Sequence, residues 1–303
     1  MATIDNGAKT TFEEQFMHQA QQERSKLENS PAIKHIDPRG KTHNMAKIGS
    51  LELVEAKGRN PLKVYADYNL DNRMMTKRRY TLSVLLDEKQ DVNELIKDPT
   101  SDLMQNLLKA RSRVTDRICC SAAGGDVIVG RPDRAGNLVS ATNDGVVTVD
   151  ATAGLTAAKI GEITENFINA DIDMEDISKT TLLFTGKENT ALMNEEKFIN
   201  NDYIGSRPVE SGIQKNVSGF NVVLFAGSSA GVGTKANPIL EETETERTCL
   251  ALAPNSIALS MELAKFDVEP SPQHVNSKVL TIDLWINAMR IDGKRVQKIK
   301  TTI

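Results

Sequence analysis

The residues that could do chemistry come first. Gly227-Ser-Ser-Ala-Gly231-Val-Gly233-Thr-Lys235 looks like a phosphate-cradling loop. Such a loop needs glycine, four residues, then Gly-Lys-Ser/Thr, so that amides and lysine converge on phosphate. Here Thr234 separates Gly233 from Lys235, no hydroxyl follows the lysine, and Pro238 blocks the helix that should. The stretch reads as a surface loop. Asp171, Asp173, Glu175 and Asp176 alternate in a calcium-loop manner, but the central glycine is missing. His18, His35, His43 and His274 have no partner at i+4 and no HExxH frame, so they supply no metal or general-base constellation. No GxSxG elbow offers an acyl-transfer nucleophile.

Cys119, Cys120 and Cys249 are too few and wrongly spaced for zinc. Adjacent Cys119 and Cys120 cannot bridge without strain. They read as reduced, small apolar side chains in a reducing cytosol. Asn216-Val217-Ser218 matches a glycosylation acceptor, but MATIDNGAKTTFEEQF has no apolar signal region, so the match reads as chance. The glutamates at 241, 242, 244 and 246 read as an exposed acidic loop. The expectation is no catalytic residue, no metal and no cofactor.

Composition narrows the classes further. The 303 residues hold 37 Lys plus Arg against 41 Asp plus Glu, a net charge of −4. That is ordinary for a globular protein and wrong for a nucleic-acid coat. With 8 Phe, 4 Tyr and 1 Trp there is no base-stacking platform. No run approaches the roughly 18 apolar residues of a membrane helix.

The elements that position any surface are legible in parts. Residues 1–40 are polar with few anchors and read as an arm; Thr11 and Glu14 form a capping-box pattern over a helix at 11–27. Period-two patterns at 50–55, 62–68 and 80–86 predict strands of a long excursion, with turns at 57–61 and 71–79. Strands this polar cannot stand alone in water and need a neighbour to lie on. Asp98 as N-cap and Pro99 at N1 open a helix running to Gly124-Gly125, with Leu103, Leu107, Ala110, Val114 and Ile118 on one stripe. Lys109, Arg111, Arg113 and Arg117 lie opposite.

Short strands follow, with a hairpin turn at Asn143-Asp144-Gly145. A helix at 156–170 turns Ile160, Ile163, Phe167 and Ile168 inward. Thr181–Thr185 is a buried strand, 187–196 a helix and 220–225 a further strand. The end is strand-rich with a basic tail of local charge about +4. Arg73, Lys77, Arg78 and Arg79 form a second basic cluster. The alternation around them favours contact with another subunit over contact with phosphate. Separated blocks of opposite charge suit head-to-tail association.

This order resembles the major capsid proteins of tailed bacteriophages, with the fold called Hong Kong 97-type. The carrying residues are Asp91, Glu94 and Asp98-Pro99 ahead of the helix and Arg113-x-x-Asp116 within it. Leu182–Thr185, Phe198–Tyr203 and Ser218–Val222 resemble the family's axial domain, and Asp283–Val296 its peripheral close. The resemblance covers about 40–300 and implies an α+β chain in four parts. These are an N-terminal arm at 1–40, an extended β-hairpin loop at 41–90, a peripheral domain at 91–180 plus 255–303, and an axial domain at 181–254. The spine helix at 98–125 lies within the peripheral domain.

It further implies pentamers and hexamers closing into an icosahedral shell around double-stranded DNA, held without sequence preference. The partners are copies of the chain, a separate scaffolding protein, a portal and decoration proteins, in a virion assembled in the host bacterial cytoplasm. The inter-subunit residues of the extended loop would be Tyr65, Tyr68, Arg73, Lys77, Arg78 and Arg79. Asp98, Pro99, Arg113 and Asp116 would belong to the spine helix. An encapsulin-like compartment shares the fold and is the nearest rival. A soluble α/β enzyme and a phage tail or connector protein are the others.

Overall fold

The computed structural model describes residues 21–37, 40–55, 63, 65, 70–87, 100–129, 140–174, 176–195, 216–227, 239–243 and 245–302. In chain order the early strands are β1 Ile33–His35, β2 Thr42–Ile48, β3 Leu70–Thr76 and β4 Arg78–Asp87, followed by helix α1, Thr100–Gly124. Next come β5 Val127–Val129, β6 Ser140–Thr142, β7 Val147–Ala151, α2 Ala157–Asn169, β8 Thr181–Thr185 and α3 Gly186–Met193. The remaining strands are β9 Asn216–Val217, β10 Phe220–Phe225, β11 Glu241–Glu242, β12 Glu246–Leu252, β13 Ile257–Pro270, β14 Ser277–Arg290 and β15 Val296–Thr302. Three sheets result, of order β1-β13-β14-β4, β2-β3-β5-β6, and β7-β15-β12-β8-β10-β9 with β11 on β12.

The chain forms two compact units. The first comprises Met1–Arg24, Arg79–Arg113 and Glu262–Trp285. Its core follows from two periodicities. Leu103, Met104 and Leu107 recur at helical spacing on α1. Val84 and Leu86, Phe266 and Val268, and Leu280 and Ile282 recur at spacing two on their strands, so one sheet face meets one helix stripe. On the other face Ser83 and Thr281 share a hydrogen bond of 3.0 Å.

The second unit comprises Ser25–Arg78, Val114–Met261 and Ile286–Ile303. Its centre is β8, where Leu182, Leu183 and Phe184 are fully buried. An unbroken apolar run is what a strand covered on both faces requires. β8 runs parallel to β10 and antiparallel to β12. Helix α2 buries Ile160, Ile163 and Phe167, and Thr156 caps it by accepting from the Lys159 amide. Gln297 of β15 ties itself to the helix by donating to the Ile163 carbonyl at 2.9 Å. Ile168, expected to face inward with them, is exposed. It sits one residue past Phe167, which carries it about 100° around the helix.

Four other expectations change. Residues 71–76 and 78–79 belong to the strands β3 and β4 and do not form the expected turn. Charge hid the strand: Met74 and Met75 are buried, β3 pairs with β2 on one side and β5 on the other, and Met75 packs with Ala258 and Met289. Residues 51–55 carry no regular structure, and 56–62 lie outside the described residues. Asn143-Asp144-Gly145 makes the expected tight turn, with φ of 55° and 71° at Asp144 and Gly145. The strands it joins diverge, however: β6 pairs with β5 and β7 with β15, so it links two sheets and closes no hairpin. Finally, the acidic run is not a free loop, since Glu241–Glu242 and Glu246 belong to strands.

Residues 25–37, within the stretch read as an arm, form part of the second unit. Leu27 and Ala32 are fully buried, and Ile33–His35 pairs in parallel with Ile257–Leu259.

Phe167→Ala should cost about 3–5 kcal/mol in a chemical denaturation experiment, since the vacated space lies under a rigid sheet. The exposed Ile168→Ala should cost well under half as much.

Candidate functional site: chain anchors and the exposed loop

Among the described residues no group of three or more His, Cys, Asp or Glu is placed to hold a metal. The three cysteines are buried, and burial pushes the Cys119, Cys120 and Cys249 thiols up, leaving them protonated. His35 donates from Nε2 to the Glu28 carbonyl at 2.7 Å, a structural contact. The glycine-rich segment 228–238 lies outside the described residues.

The two helix residues singled out in the sequence both hold the incoming chain. In the first unit, Arg113 Nη1 donates to Gln21 Oε1 at 2.7 Å, and Gln21 Nε2 donates to Asn106 at 2.6 Å. In the second unit, Asp116 is fully buried and accepts three hydrogen bonds from one short stretch. These come from Ser25 Oγ at 2.5 Å, the Lys26 amide at 3.0 Å and the Leu27 amide at 3.1 Å. A carboxylate suits this place because it offers several lone pairs to converging donors. Asp98 and Pro99 lie outside the described residues.

The six residues expected to touch another subunit divide. Tyr65 is 88% exposed and Arg78 is exposed, while Tyr68 lies outside the described residues. Arg79 is 58% exposed and forks onto Asp283, with Nε 2.9 Å from each carboxylate oxygen. That bond holds Asp283 below the usual carboxylate range and Arg79 above its ordinary value. Arg73 and Lys77 correct the expectation: both are buried within their own chain. Arg73 Nη2 lies 2.7 Å from Asp144 Oδ1, and its Nε reaches the Ile291 carbonyl at 3.5 Å. The Lys77 amide bonds the Lys41 carbonyl at 2.8 Å. A basic side chain can lie inside a subunit when a carboxylate meets it there.

Sequence reasoning missed the centre of that arrangement. Asp144 accepts from Arg73 on one oxygen and from the Gly293 amide on the other, at 2.8 Å. A Cβ on Gly293 would stand 1.8 Å from the Asp144 carbonyl oxygen, so only glycine fits. Arg290, read as part of a basic tail, is fully buried. It donates to the carbonyls of Ala123, Gly125 and Asn143 at 2.7, 2.7 and 2.8 Å, closing the end of α1. Burial pulls this guanidinium below its ordinary value, with Asp144 opposing. The only sequence signal for Asp144 was its turn tripeptide; Arg290 had none, because strand alternation hides inside a charged tail.

A profile of the phage capsid protein family matches residues 4–303, nearly the whole sequence. The chain belongs to the phage capsid protein family.

No curated protein matches the sequence at a significant level. Solved structures match closely in shape. That of Mycobacterium phage Che8 aligns at a TM-score of 0.68 and 10% identity, over 97% of both chains. The head structure of Helicobacter pylori bacteriophage KHP40 gives 0.68 at 9%, over 99% of this chain and 98% of that one. The capsid of Ralstonia phage GP4 gives 0.66 at 11%, over 100% and 97%. The α+β fold is therefore that of phage capsid proteins, and the chain is a structural capsid protein, in a family of structural proteins and not of enzymes.

The capsid protein's second unit holds another closed charge cluster. Arg247 Nε donates to Glu242 at 2.7 Å, and its Nη1 lies 3.4 Å from Glu188 and 2.7 Å from Thr185 Oγ1. Glu188 completes the capping box of α3 and accepts from Thr301 Oγ1 at 2.7 Å. Burial pushes the Glu188 carboxyl up, but the Thr185 and Thr301 hydroxyls and two amides outweigh it and hold the carboxyl below the usual range.

Because its folded value is depressed, Glu188 contributes stability that is present above the ordinary glutamate value. That contribution is lost as pH falls through the lower folded value. Thermal melts between pH 7 and 3 should therefore show a steeper acid loss for the native protein than for Glu188→Gln, which starts less stable. In addition, Asp116→Ala should cost about 2–5 kcal/mol by leaving buried amides unpaired. It should also speed hydrogen exchange at Lys26 and Leu27 more than at α2.

Proposed function

We propose that copies of this chain assemble as pentamers and hexamers into an icosahedral shell of the Hong Kong 97-type that encloses double-stranded phage DNA. The observation that carries the reading is the family match along 4–303. A chain that exposes apolar side chains after β2, and pairs several of its buried charges within itself, is suited to packing against its own kind. DNA contact on this reading is electrostatic and independent of sequence. A separate scaffolding protein, a portal and decoration proteins are the expected partners, with assembly in the host bacterial cytoplasm and residence in the virion capsid.

In this reading Tyr65, Tyr68, Arg78 and Arg79 lie on the contact surface of the extended loop. Arg73 and Lys77 brace its base from within. Asp98 and Pro99 start the spine helix, whose Arg113 and Asp116 hold the arm. The 91–180 plus 255–303 and 181–254 segments are the peripheral and axial domains.

Expression with and without a co-expressed scaffolding protein, followed by negative-stain electron microscopy, tests this. Closed polyhedral shells, or pentameric and hexameric capsomers, are expected. A homogeneous monomer or small dimer under both conditions would overturn the reading.

A further inference from the structure

The chain contains two Asp-Gly dipeptides, Asp144-Gly145 and Asp292-Gly293. Asp-Gly is the aspartyl pair most prone to isomerise, because glycine leaves its own nitrogen unhindered beside the carboxyl group. The fold needs both pairs. Gly145 has φ of 71°, and Gly293 has no room for a Cβ against the Asp144 carbonyl oxygen. Asp144 receives Arg73, and Asp292 caps the short turn Gly293–Arg295 by accepting from the Lys294 amide at 3.2 Å.

Isomerisation is a loss and regain of water. The glycine nitrogen bonds to the aspartate Cγ, the C–OH bond breaks, and the amide proton leaves with that hydroxyl as water. Water then opens the succinimide ring at the main-chain carbonyl carbon. The chain now runs through the side chain, as isoaspartate. Ring closure needs a protonated carboxyl, an amide free to release its proton, and a nitrogen able to swing onto Cγ.

The structure opposes each requirement, and the two dipeptides oppose each other. The Asp144 carboxylate is held on both oxygens, by Arg73 Nη2 at 2.7 Å and by the Gly293 amide at 2.8 Å. The second bond engages the N–H that would have to attack Asp292. Asp292 is itself held by Lys47 Nζ at 2.8 Å. Burial pushes the Asp292 carboxyl up, but Lys47 and the Lys294 amide outweigh it and hold it below the usual range. Its backbone is extended, with φ of −145° and ψ of 131°, and Gly293 is buried.

We propose that these contacts form a reciprocal lock that keeps both Asp-Gly sites from isomerising in the folded subunit. Arg73 restrains Asp144, Asp144 restrains the Gly293 amide, and Lys47 restrains Asp292. Asp144 and Asp292 are two latent isoaspartate sites, released wherever the lock opens. An isoaspartate adds one carbon to the main chain. At 144 it falls in the turn between β6 and β7, and at 292 in the link between β14 and β15. Either would disturb the register of the strands it joins. Suppressing it preserves the subunit's shape over time.

The test ages the full chain for weeks at neutral pH. Isoaspartate at each site is counted by mass spectrometry of proteolytic peptides, and circular dichroism reports the fold. The same chain held unfolded in guanidinium chloride supplies the unprotected rate. Both sites should isomerise about tenfold or more slower in the folded chain than in the unfolded one. Lys47→Ala removes a partly exposed partner, so the variant should stay folded. It should speed Asp292 about two- to fivefold and Asp144 less. Arg73→Ala should speed Asp144 about tenfold or more. Should that variant lose its fold, Lys47→Ala decides alone.

Equal rates in the folded and unfolded native chain overturn the lock. So does a folded Lys47→Ala chain in which Asp292 keeps its native rate, or in which both sites speed up alike. The measurement reads the subunit itself, whatever its state of assembly.

Discussion

One half-buried carboxylate carries much of the second unit. Asp144 sits at a left-handed turn position and receives Arg73 from β3 and the Gly293 amide from the turn before β15. Its partner cation Arg290 reaches three carbonyls at the end of α1 and in the same turn. Two guanidiniums cannot lie in a low-dielectric interior unless a carboxylate and carbonyl oxygens surround them. That requirement fixes the base of the β2-β3 loop, the stop of α1 and the link between β14 and β15 to one place. Apolar packing could hold these elements close. It could not define their register as closely, because apolar contact is non-directional while a forked guanidinium is not.

The same device recurs with Arg247. It joins the start of α3, the β11 strand and the last strand β15 through Glu188, Glu242 and Thr185. Asp116 does for the incoming chain what Asp144 does for the loop. In each case a charged residue that a surface reading would place in solvent is used to tie segments far apart in sequence. At the surface, Arg79 is paired with Asp283.

For a capsid protein this division has a physical use. A shell subunit has to keep one shape while meeting neighbours, so polar bonds that specify geometry belong inside, where water does not compete for them. Contacts between subunits form and adjust during assembly. Apolar side chains tolerate small shifts of partner position better than hydrogen bonds do, since burial depends on area and not on angle. The exposed run after β2 and the buried network at its base fit those two demands.

Local order was legible in the sequence wherever a single period governed it. The α1 stripe, the Thr181–Thr185 strand, Ile160, Ile163 and Phe167 of α2, and the Asn-Asp-Gly turn all follow from neighbours within a few positions. The arrangement of a polar lead-in, a β excursion, a long helix and a strand-rich return was also enough to suggest a phage capsid protein.

What the chain could not declare locally is which charges go inside. Arg73, Lys77 and Arg290 look like surface residues because their carboxylate and carbonyl partners lie as far off as Asp144, 71 residues from Arg73, and Ala123, 167 residues from Arg290. The same ignorance turned β3 into an expected turn, made Ile168 an expected core residue and read the Asn143–Gly145 turn as a hairpin. Sequence determined the elements and the class of protein, since those rest on short-range periodicity and composition. Only the tertiary structure decided which cations are neutralised within the subunit and which apolar side chains are left in water. Both depend on pairings across the whole chain, which no local pattern encodes.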